Sequence, residues 1–330
     1  MDDLPRINMI KLSVDLFKFV GEAKRNTSRK LLCFRVFTAS TMLISLYFIF
    51  VNLFFVKGAM YVQALQSLVL FTHLFLKYVS LLNYKRNIET LLANVARRFW
   101  SHRNYDRNVE RAIERIYAII ERVQRVMVTV SLFCLFAYFM KPLSAANKGL
   151  LIESLIPRSD IMGAVVIVSQ FYCFYVGFPI ILGYDFIYFA LCVHLILQLR
   201  LLKFEMQKIL DGQGENTKSE IIKCIRHHQF LFTMFLQMKG IYSAMLLFHY
   251  FVTLVTTCSF LLELFLRRSN IMNYFAKVFS IFVFVGQFAL YAFPADQITS
   301  EVGCRLGIDA SPTMILVYRS SRRYLLIALV

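Results

Sequence analysis

The stretch IMGAVVIVSQFYCFYVGFPIILGYDFIYFALCVHLILQLRLLKFEMQKIL, residues 161–210, starts as an apolar run and ends as a basic amphipathic one. Its apolar part, 161–183, is long enough to cross a hydrocarbon layer about 30 Å thick as a helix. The helical pattern continues until DGQGENTK at 211–218 interrupts it. At 1.5 Å per residue, such a helix is about 70 Å long, over twice the hydrocarbon thickness. Its basic half must therefore project out of the membrane.

The composition of the whole chain agrees with a membrane protein. Of the 330 residues, 58% are hydrophobic and 17% are charged, with a mean hydropathy of +0.59. A soluble domain is about 45–50% apolar and 25% charged. The net charge of +17 raises nucleic acid as a partner. Because the basic residues are scattered among membrane-length apolar runs, membrane topology explains them better, and we expect the lipid bilayer as a partner and no nucleic acid.

Six apolar runs are candidate membrane spans. They are residues 36–56, 60–82, 126–146, 161–183, 242–266 and 271–293. A second long helical pattern runs from about 219 to 266, and the connection between spans two and three also keeps helical periodicity. The predicted fold is therefore an all-α integral membrane protein with about six transmembrane helices, the longest of which extend into a helical base.

The distribution of charge predicts the orientation. Lys and Arg total 28 in the terminal segments and the connections on one side, against 6 in the connections on the other. The excess of basic residues marks the cytosolic side, so the N-terminus is expected in the cytosol. Three regions follow: a cytosolic segment at 1–35, a transmembrane bundle at 36–293 with cytosolic extensions at 83–125 and 184–240, and a cytosolic segment at 294–330.

Catalytic and metal-binding signatures are missing from the sequence. It contains no G-x-S-x-G, H-E-x-x-H or phosphate-binding glycine loop, and its seven cysteines form no C-x-x-C pair. His227 and His228 are adjacent, so on a helix they point about 100° apart and cannot share one metal face. We therefore expect no enzyme, no metal and no cofactor, and interpret the two histidines as part of a cytosolic interface.

Four ionisable residues lie in or beside the predicted spans. His73 lies deep in span two, where a polar ring is either a functional residue or a hydrogen-bonded packing residue. Lys77 and Lys277 lie near span ends and are expected to extend to the membrane interfaces. Asp185 falls at the predicted inner headgroup level, so no buried partner is expected for it.

Aromatic residues are concentrated toward the outer ends of the spans. Span four contains SQFYCFYVGFP at 169–179, which Gly and Pro are expected to interrupt. An apolar pocket with a few polar groups suits a small volatile or hydrophobic ligand. The candidate contacts are His73, Tyr138, Gln170, Tyr172, Tyr175 and Tyr274. The alternative is that these side chains face lipid or pack within the bundle, with tyrosines at the membrane interface.

Several segments together resemble one receptor family. They are HLILQLRLLKFEMQKIL at 194–210, EIIKCIRHHQFLF at 220–232, YAFPADQITSEV at 291–302, DASPT at 309–313 and RSSRRYLLIALV at 319–330. In order and spacing they resemble the corresponding parts of insect odorant receptors, and the resemblance covers nearly the whole chain. Pro294 is expected to end the sixth helix at the cytosolic interface, where Asp296 and Gln297 reach water.

The resemblance implies a ligand-gated, non-selective cation channel. It implies an odorant-specific subunit in the membrane of a sensory neuron, which assembles with a shared co-receptor subunit into a heterotetramer. It also implies a ligand pocket in the outer half, among spans two, three, four and six, and an assembly region in the cytosolic base. The candidate assembly residues are His194, Gln198, His227, His228, Pro294, Asp296 and Gln297.

Two features depart from the family pattern. Thr313 stands where the family usually has Trp. The sequence also ends at Val330, where the pore-lining seventh span is expected to begin, and YLLIALV is too short to cross a bilayer. Residues 294–330 are accordingly expected to be a linker and the start of an incomplete seventh helix, and the chain is expected not to conduct ions by itself.

Other classes of membrane protein remain as alternatives. A gustatory-type chemoreceptor channel is the closest, because its signature lies in the last span. A G-protein-coupled receptor would have an extracellular N-terminus, whereas this one carries eight basic residues in its first 35. A transporter would more often show internal repeats or paired broken helices.

Overall fold

The structure, a computed structural model, describes residues 12, 15, 16, 29–101, 105–140, 154–155, 160–212, 217–266 and 271–303. These residues form six α-helices and contain no strand. The helices are α1 Arg29–Asn52, α2 Ala59–Arg98, α3 Arg107–Met140, α4 Asp160–Leu210, α5 Thr217–Leu266 and α6 Ile271–Gly303. All six are long and apolar enough to cross a membrane, which confirms the predicted all-α membrane fold.

Parts of all three predicted regions lie outside the described residues; in 36–293 these are 102–104, 141–153, 156–159, 213–216 and 267–270. Most of the N-terminal segment 1–35 lies outside as well, although α1 begins within it at Arg29. The segments DASPT and RSSRRYLLIALV, with Thr313 and the expected seventh helix, also lie outside. The regions 1–35, 36–293 and 294–330 stay predictions.

Helix α4 is the centre of the bundle. It contacts each of the five other helices, and 94% of its most apolar 18-residue window is buried. The corresponding share in the other helices is between 17% and 50%. A helix that is apolar on all sides is stable when it is surrounded by other helices, and the sequence of α4 has this character. Its neighbours then expose their remaining apolar faces, as expected for helices in contact with lipid.

The two long helices have the predicted length. Helix α4 contains 51 residues and α5 contains 50, which corresponds to about 75 Å each at 1.5 Å per residue. Gly212 ends α4 with a φ of 74°, a left-handed conformation that glycine adopts without strain. Its amide donates to the carbonyl of Ile209 at 3.2 Å. Within the predicted break at 211–218, the described residues are therefore a glycine cap at 211–212 and the start of α5 at Thr217; residues 213–216 lie outside the described part of the chain.

Two expected helix breaks are wrong. Helix α4 continues through Gly177 and Pro179, and α6 continues through Pro294 to Gly303. A proline inside a helix removes one backbone hydrogen bond, but contacts with neighbouring helices stabilise the helix on both sides of it. Tyr291 and Ile298 flank Pro294, and both are buried against the rest of the bundle. This packing offsets the cost of the proline.

Four helices form the base beyond the apolar spans. We call the base the C-terminal parts of α2 and α4 together with the N-terminal parts of α3 and α5. Its elements contact one another directly: the Tyr117 hydroxyl of α3 lies 3.5 Å from His194 Nδ1 of α4, and the ring of Tyr105 packs edge-on against Phe204. On the surface of α3, Arg125 and Glu121 form an i, i+4 ion pair at 4.0 Å, with both side chains exposed.

Candidate functional site

A cavity of about 110 Å³ lies among α2, α3, α4 and α6. These are the four spans that the family resemblance implies for a ligand pocket. The wall is mainly apolar and aromatic. It consists of Leu70, Phe71, His73, Leu74, Ser131, Cys134, Leu135, Tyr138, Cys173, Phe174, Gly177, Phe178, Ile181, Leu182, Ser280, Val283, Phe284 and Gln287. Such a lining binds small ligands through apolar contacts, with a few polar groups fixing their orientation.

A glycine on α4 sets the distance between α4 and α2 at the cavity. A Cβ atom placed on Gly177 would lie 2.6 Å from Leu74 Cδ1, closer than a carbon–carbon contact allows. The lack of a side chain at this position therefore lets α2 pack against α4 while Leu74 remains in the cavity wall.

Two groups of polar side chains line the cavity. On one side Ser280 lies 3.3 Å from Cys134 Sγ and donates to the Tyr138 hydroxyl at 3.4 Å. The Tyr138 ring in turn stacks on Phe174 with its centroid 5.7 Å away. On the other side, His73 is buried, and the Ser131 hydroxyl has no hydrogen-bond partner among the described residues. The cavity can therefore offer hydrogen bonds as well as apolar contacts.

His73 is paired with a second histidine. His73 Nε2 lies 3.1 Å from His249 Nδ1 of α5, and both rings are almost fully buried. The His249 ring also packs against Tyr291 of α6, with the centroids 4.9 Å apart. Helix α5 contributes no described residue to the cavity lining, and this pair is one of its contacts with the wall, together with the packing of Phe260 on Phe284.

An ion pair is buried close to the histidine pair. Lys77 lies one turn after His73 on α2, and its Nζ is 2.5 Å from Asp185 Oδ1 of α4, with both side chains fully buried. The Tyr291 hydroxyl also donates to Asp185 Oδ1. The expectations that Lys77 extends to the interface and that Asp185 needs no buried partner are therefore wrong. Each charge is far from water, and each compensates the other.

A second ion pair joins the C-terminal end of α5 to the N-terminal part of α6. Lys277 Nζ lies 2.7 Å from Glu263 Oε2, and both side chains are largely buried. The expectation that Lys277 extends to the interface is wrong as well, because a carboxylate on the neighbouring helix holds it inside the bundle.

The structure separates the six candidate ligand contacts. His73 and Tyr138 line the cavity. Gln170 is buried outside it, where its Nε2 donates to Ser154 Oγ at 2.8 Å, and the Tyr172 hydroxyl lies 2.8 Å from Thr38 Oγ1 of α1. Tyr175 is 56% exposed and Tyr274 is 50% exposed. These last two have the exposure of lipid-facing residues, the alternative that the sequence left open.

The candidate assembly residues fall into a buried and an exposed group. His194, Gln198, His227 and Pro294 are buried within the chain, whereas His228, Asp296 and Gln297 are exposed. His227 and His228 point in different directions, as their adjacent positions on a helix require.

Gln198 and His227 hold the C-terminal end of α2. The Gln198 side chain accepts from the Trp100 amide at 2.8 Å and donates to the Trp100 carbonyl at 3.0 Å. His227 Nε2 lies 3.0 Å from the same Gln198 Oε1, and the imidazole stacks on the indole with centroids 4.0 Å apart. We call Trp100, Gln198 and His227 the clamp. It joins α2, α4 and α5 in the base.

In the clamp, His227 donates a hydrogen bond from Nε2 and is buried in its neutral form. Because Gln198 Oε1 can only accept, His227 Nε2 must carry the hydrogen. Burial lowers the pKa of His227 to about 4, and the neighbouring His228 and Lys223 contribute in the same direction. The ring is therefore uncharged at neutral pH.

Sequence reasoning missed several of these polar residues. His249 lies in the apolar run MLLFHYFV, as conspicuous as His73, and the reasoning that a polar ring inside a span needs a partner applies to it equally. Ser131, Ser280 and Gln287 gave no comparable signal, because small or neutral polar residues are common in membrane helices. In the part of the chain that the structure describes, no three His, Cys, Asp or Glu residues are grouped to hold a metal ion.

Solved structures with this arrangement of helices come from an insect. The structure of the olfactory receptor OR5 from Machilis hrabei matches with a TM-score of 0.75 and 15% identity, over 98% of this chain and 89% of that one. The same receptor in complex with eugenol matches with a TM-score of 0.79 and 14% identity, over the same shares. At these identities the likeness shows the fold. No curated protein matches the sequence.

The sequence itself matches a family model. The model described as 7tm Odorant receptor aligns with residues 57–303, about three quarters of the chain. The matched region contains α2 to α6, and with them every residue that lines the cavity. The chain therefore belongs to the 7tm odorant receptor family.

Proposed function

We propose that the chain is the ligand-binding subunit of an odorant-gated cation channel and that the cavity among α2, α3, α4 and α6 is its ligand site. The observation that carries the proposal is the cavity itself, which is lined by residues of four spans, mainly apolar and supplied with a few polar groups. Its size is on the order of an engineered apolar cavity of about 150 Å³ that binds benzene. A small volatile molecule fits these dimensions.

The family and the solved relatives support this function. The chain belongs to an odorant receptor family, and one structure with the same fold was determined with eugenol bound. Eugenol is small and largely apolar, which is also the chemistry that the cavity wall favours here. The channel and its partner, a shared co-receptor in a heteromeric complex, follow from the family resemblance, as does the plasma membrane of a sensory neuron.

The ligand site is tested with a matched pair of valines on α6. Val283 lines the cavity, whereas Val285 is exposed on the outside of the helix. Val283→Phe fills the cavity, and Val285→Phe adds the same ring on the outer surface. We expect a panel of volatile ligands to evoke cation current in cells that express the chain with a co-receptor, and Val283→Phe to abolish the response at unchanged surface expression. Val285→Phe should respond like the parent chain.

Binding to the purified chain separates the two parts of the proposal. A bound ligand stabilises the folded chain by RT ln(1 + L/Kd), where L is the free ligand concentration, so the unfolding temperature rises with the logarithm of the ligand concentration above Kd. If volatile ligands stabilise the parent chain and Val283→Phe abolishes this stabilisation, the ligand site is supported. If, in addition, no current is recorded with any partner, the channel part of the proposal is wrong. Equal effects of the two valine substitutions contradict the site.

A further inference from the structure

The histidine pair at the cavity wall indicates which class of ligand the cavity selects. We propose that His73 is the polar recognition residue of the cavity, that it selects a small alcohol or phenol, and that His249 is a positioning residue that acts through it. The inference rests on the proposed function only in taking the cavity as the ligand site. It goes further in naming the hydrogen-bonding group of the ligand and the residue that binds it.

The bond between the two rings determines what His73 can offer. The rings meet through His73 Nε2 and His249 Nδ1 at 3.1 Å, so one nitrogen donates and the other accepts. A neutral imidazole has one donor nitrogen and one acceptor nitrogen. If His73 Nε2 donates, its Nδ1 is an acceptor; if Nε2 accepts, Nδ1 is a donor. His249 therefore fixes the role of the remaining nitrogen of His73.

That remaining nitrogen is buried and has no hydrogen-bond partner among the described residues. His73 Nδ1 makes no hydrogen bond to any described residue, although the side chain lines the cavity. A buried polar atom without a partner costs about 1–3 kcal/mol, which a ligand bond would recover. Ser131, on the facing helix α3, also lines the cavity with an unpartnered hydroxyl. The wall thus contains two hydrogen-bonding groups from different helices that the described residues leave unsatisfied.

A hydroxyl group on the ligand suits both forms of the pair. It can donate to Nδ1 when that atom is an acceptor, and it can accept when Nδ1 carries the hydrogen. A carbonyl can bond only the second form, and a hydrocarbon bonds neither. An ammonium ion would need a compensating charge, and no acidic side chain is among the described residues of the wall. The chemistry of the pair therefore favours an alcohol or a phenol.

Four probes with one ring skeleton test the proposal on the purified full chain: toluene, benzyl alcohol, benzaldehyde and benzylamine. Their Kd values are measured from the ligand-induced rise in unfolding temperature. The readout is the ratio of the toluene Kd to the benzyl alcohol Kd in each variant. Comparing this ratio between variants cancels the different tendencies of the two probes to leave water, because those tendencies are the same in every variant. We expect benzylamine to bind most weakly of the four.

Two substitutions of His73 separate its two nitrogens. The amide of Gln can reach the position of Nε2 and keep the bond to His249, but it leaves nothing at Nδ1. The shorter Asn places its amide near Nδ1 and gives up the bond to His249. We expect His73→Gln to lower the ratio about ten-fold, with the toluene Kd within two-fold of the parent, and His73→Asn to retain most of the ratio.

The role of His249 is tested in the same way. His249→Leu removes the partner of His73 Nε2, whereas His249→Asn keeps a polar group near the position of Nδ1. We expect the ratio to fall in His249→Leu and to be rescued in His249→Asn. A purely structural role would weaken all four probes together.

Three outcomes would overturn the proposal. If the ratio of the two Kd values is the same in His73→Gln and the parent chain, His73 does not bind the hydroxyl group. If Val283→Phe still prevents binding of every probe, the ligand site stands without this inference. Equal losses for toluene and benzyl alcohol in the His73 variants indicate packing. If no probe binds the parent chain, the inference and the ligand site fail together.

Discussion

Charged residues inside a membrane bundle must compensate one another, and Lys77 and Asp185 do so at 2.5 Å with no access to water. Removing two ions from water costs several kcal/mol each, so the pair contributes little net stability compared with an apolar pair of the same size. Losing only one partner is different, because the other charge is then buried alone. The Tyr291 hydroxyl bonds Asp185 Oδ1 and holds the carboxylate in place.

We expect Asp185→Asn to destabilise the fold by about 3–5 kcal/mol, because it leaves the Lys77 ammonium uncompensated. Thermal unfolding in detergent measures the loss. The double variant Lys77→Met with Asp185→Leu should recover much of it, since no charge then remains buried. As a control, Glu121→Gln breaks the exposed pair with Arg125 and should change stability by no more than about 0.5 kcal/mol. An Asp185→Asn chain as stable as Glu121→Gln would show that the buried pair is not needed.

Close packing at Gly177 gives a second prediction at this scale. Gly177→Ala places a methyl group against Leu74, which must move into the cavity, so we expect a loss of about 1–3 kcal/mol and weaker ligand binding. The double variant with Leu74→Ala should regain the ligand binding. Gly240→Ala is the matched control: its new methyl group meets nothing within 4 Å, and replacing a helical glycine by alanine favours the helix by about 0.5–1 kcal/mol. Equal unfolding temperatures for Gly177→Ala and the parent would contradict the close contact.

The sequence identifies buried polar residues more easily than their partners. His73 is conspicuous because a ring with hydrogen-bonding nitrogens lies inside an apolar run. Its partner His249 lies 176 positions further along, and Asp185 is 108 positions from Lys77. Such pairings depend on the rotation of each helix about its axis, which hydropathy does not determine. For the same reason the sequence placed Tyr172 and Tyr175 beside His73 as candidate contacts, although only His73 and Tyr138 among the candidates line the cavity.

At the scale of helices, the clamp fixes the end of α2 against α4 and α5. The Gln198 side chain satisfies both backbone groups of Trp100, which a helix end otherwise leaves without partners. His227 covers the indole and bonds Gln198 in turn. Because three helices meet here, loss of one contact should loosen the base as a unit.

The clamp should weaken at acidic pH. A histidine with a lowered folded-state pKa stabilises the fold when neutral, so its contribution is complete above about pH 6.5 and is lost as the pH falls toward the folded-state pKa of about 4. One pKa unit corresponds to about 1.4 kcal/mol, and we expect a loss of about 1–2 kcal/mol over this range. The measurement is the unfolding temperature between pH 7.5 and 4.5.

The control for this prediction is His227→Gln, which can donate to Gln198 but does not titrate. The unfolding temperature of His227→Gln should depend less on pH than that of the parent chain. The difference between the two unfolding temperatures should therefore become smaller as the pH falls. Burial also lowers the pKa of His228, so His228→Gln should remove a separate part of the pH dependence, and only His227→Gln should remove the part that belongs to the clamp. If the unfolding temperatures of the parent chain and His227→Gln changed equally with pH, protonation of His227 would not weaken the clamp.

The lengths of the helices were predictable, and their behaviour at proline was not. Periodicity and the segment DGQGENTK correctly indicated that α4 and α5 are far longer than a membrane is thick. The expected breaks at Pro179 and Pro294 rest on local backbone preference alone. In a packed bundle, contacts along both halves of a helix outweigh one missing hydrogen bond, and this contribution is invisible in the local sequence.

For the molecule as a whole, the order and number of the apolar runs were sufficient to predict the fold class. Each run became one helix, and the central position of α4 agrees with its apolar character on all sides. What the runs could not predict is which helices enclose the cavity. That arrangement depends on close contacts such as the one between Gly177 and Leu74. The four helices that line the cavity were implied by the family resemblance and not by hydropathy.

The orientation of the bundle is the remaining prediction at this scale. The base carries most of the basic residues in the connections, and basic residues are retained on the cytosolic side during insertion. We expect an epitope tag at the N-terminus to be detected only after the cells are permeabilised. A tag between residues 147 and 148, in the connection between α3 and α4, should be detected on intact cells. The reverse pattern would place the base outside the cell, where a 28 to 6 excess of Lys and Arg contradicts the insertion rule. The cytosolic assembly region that the family resemblance implies would then be wrong.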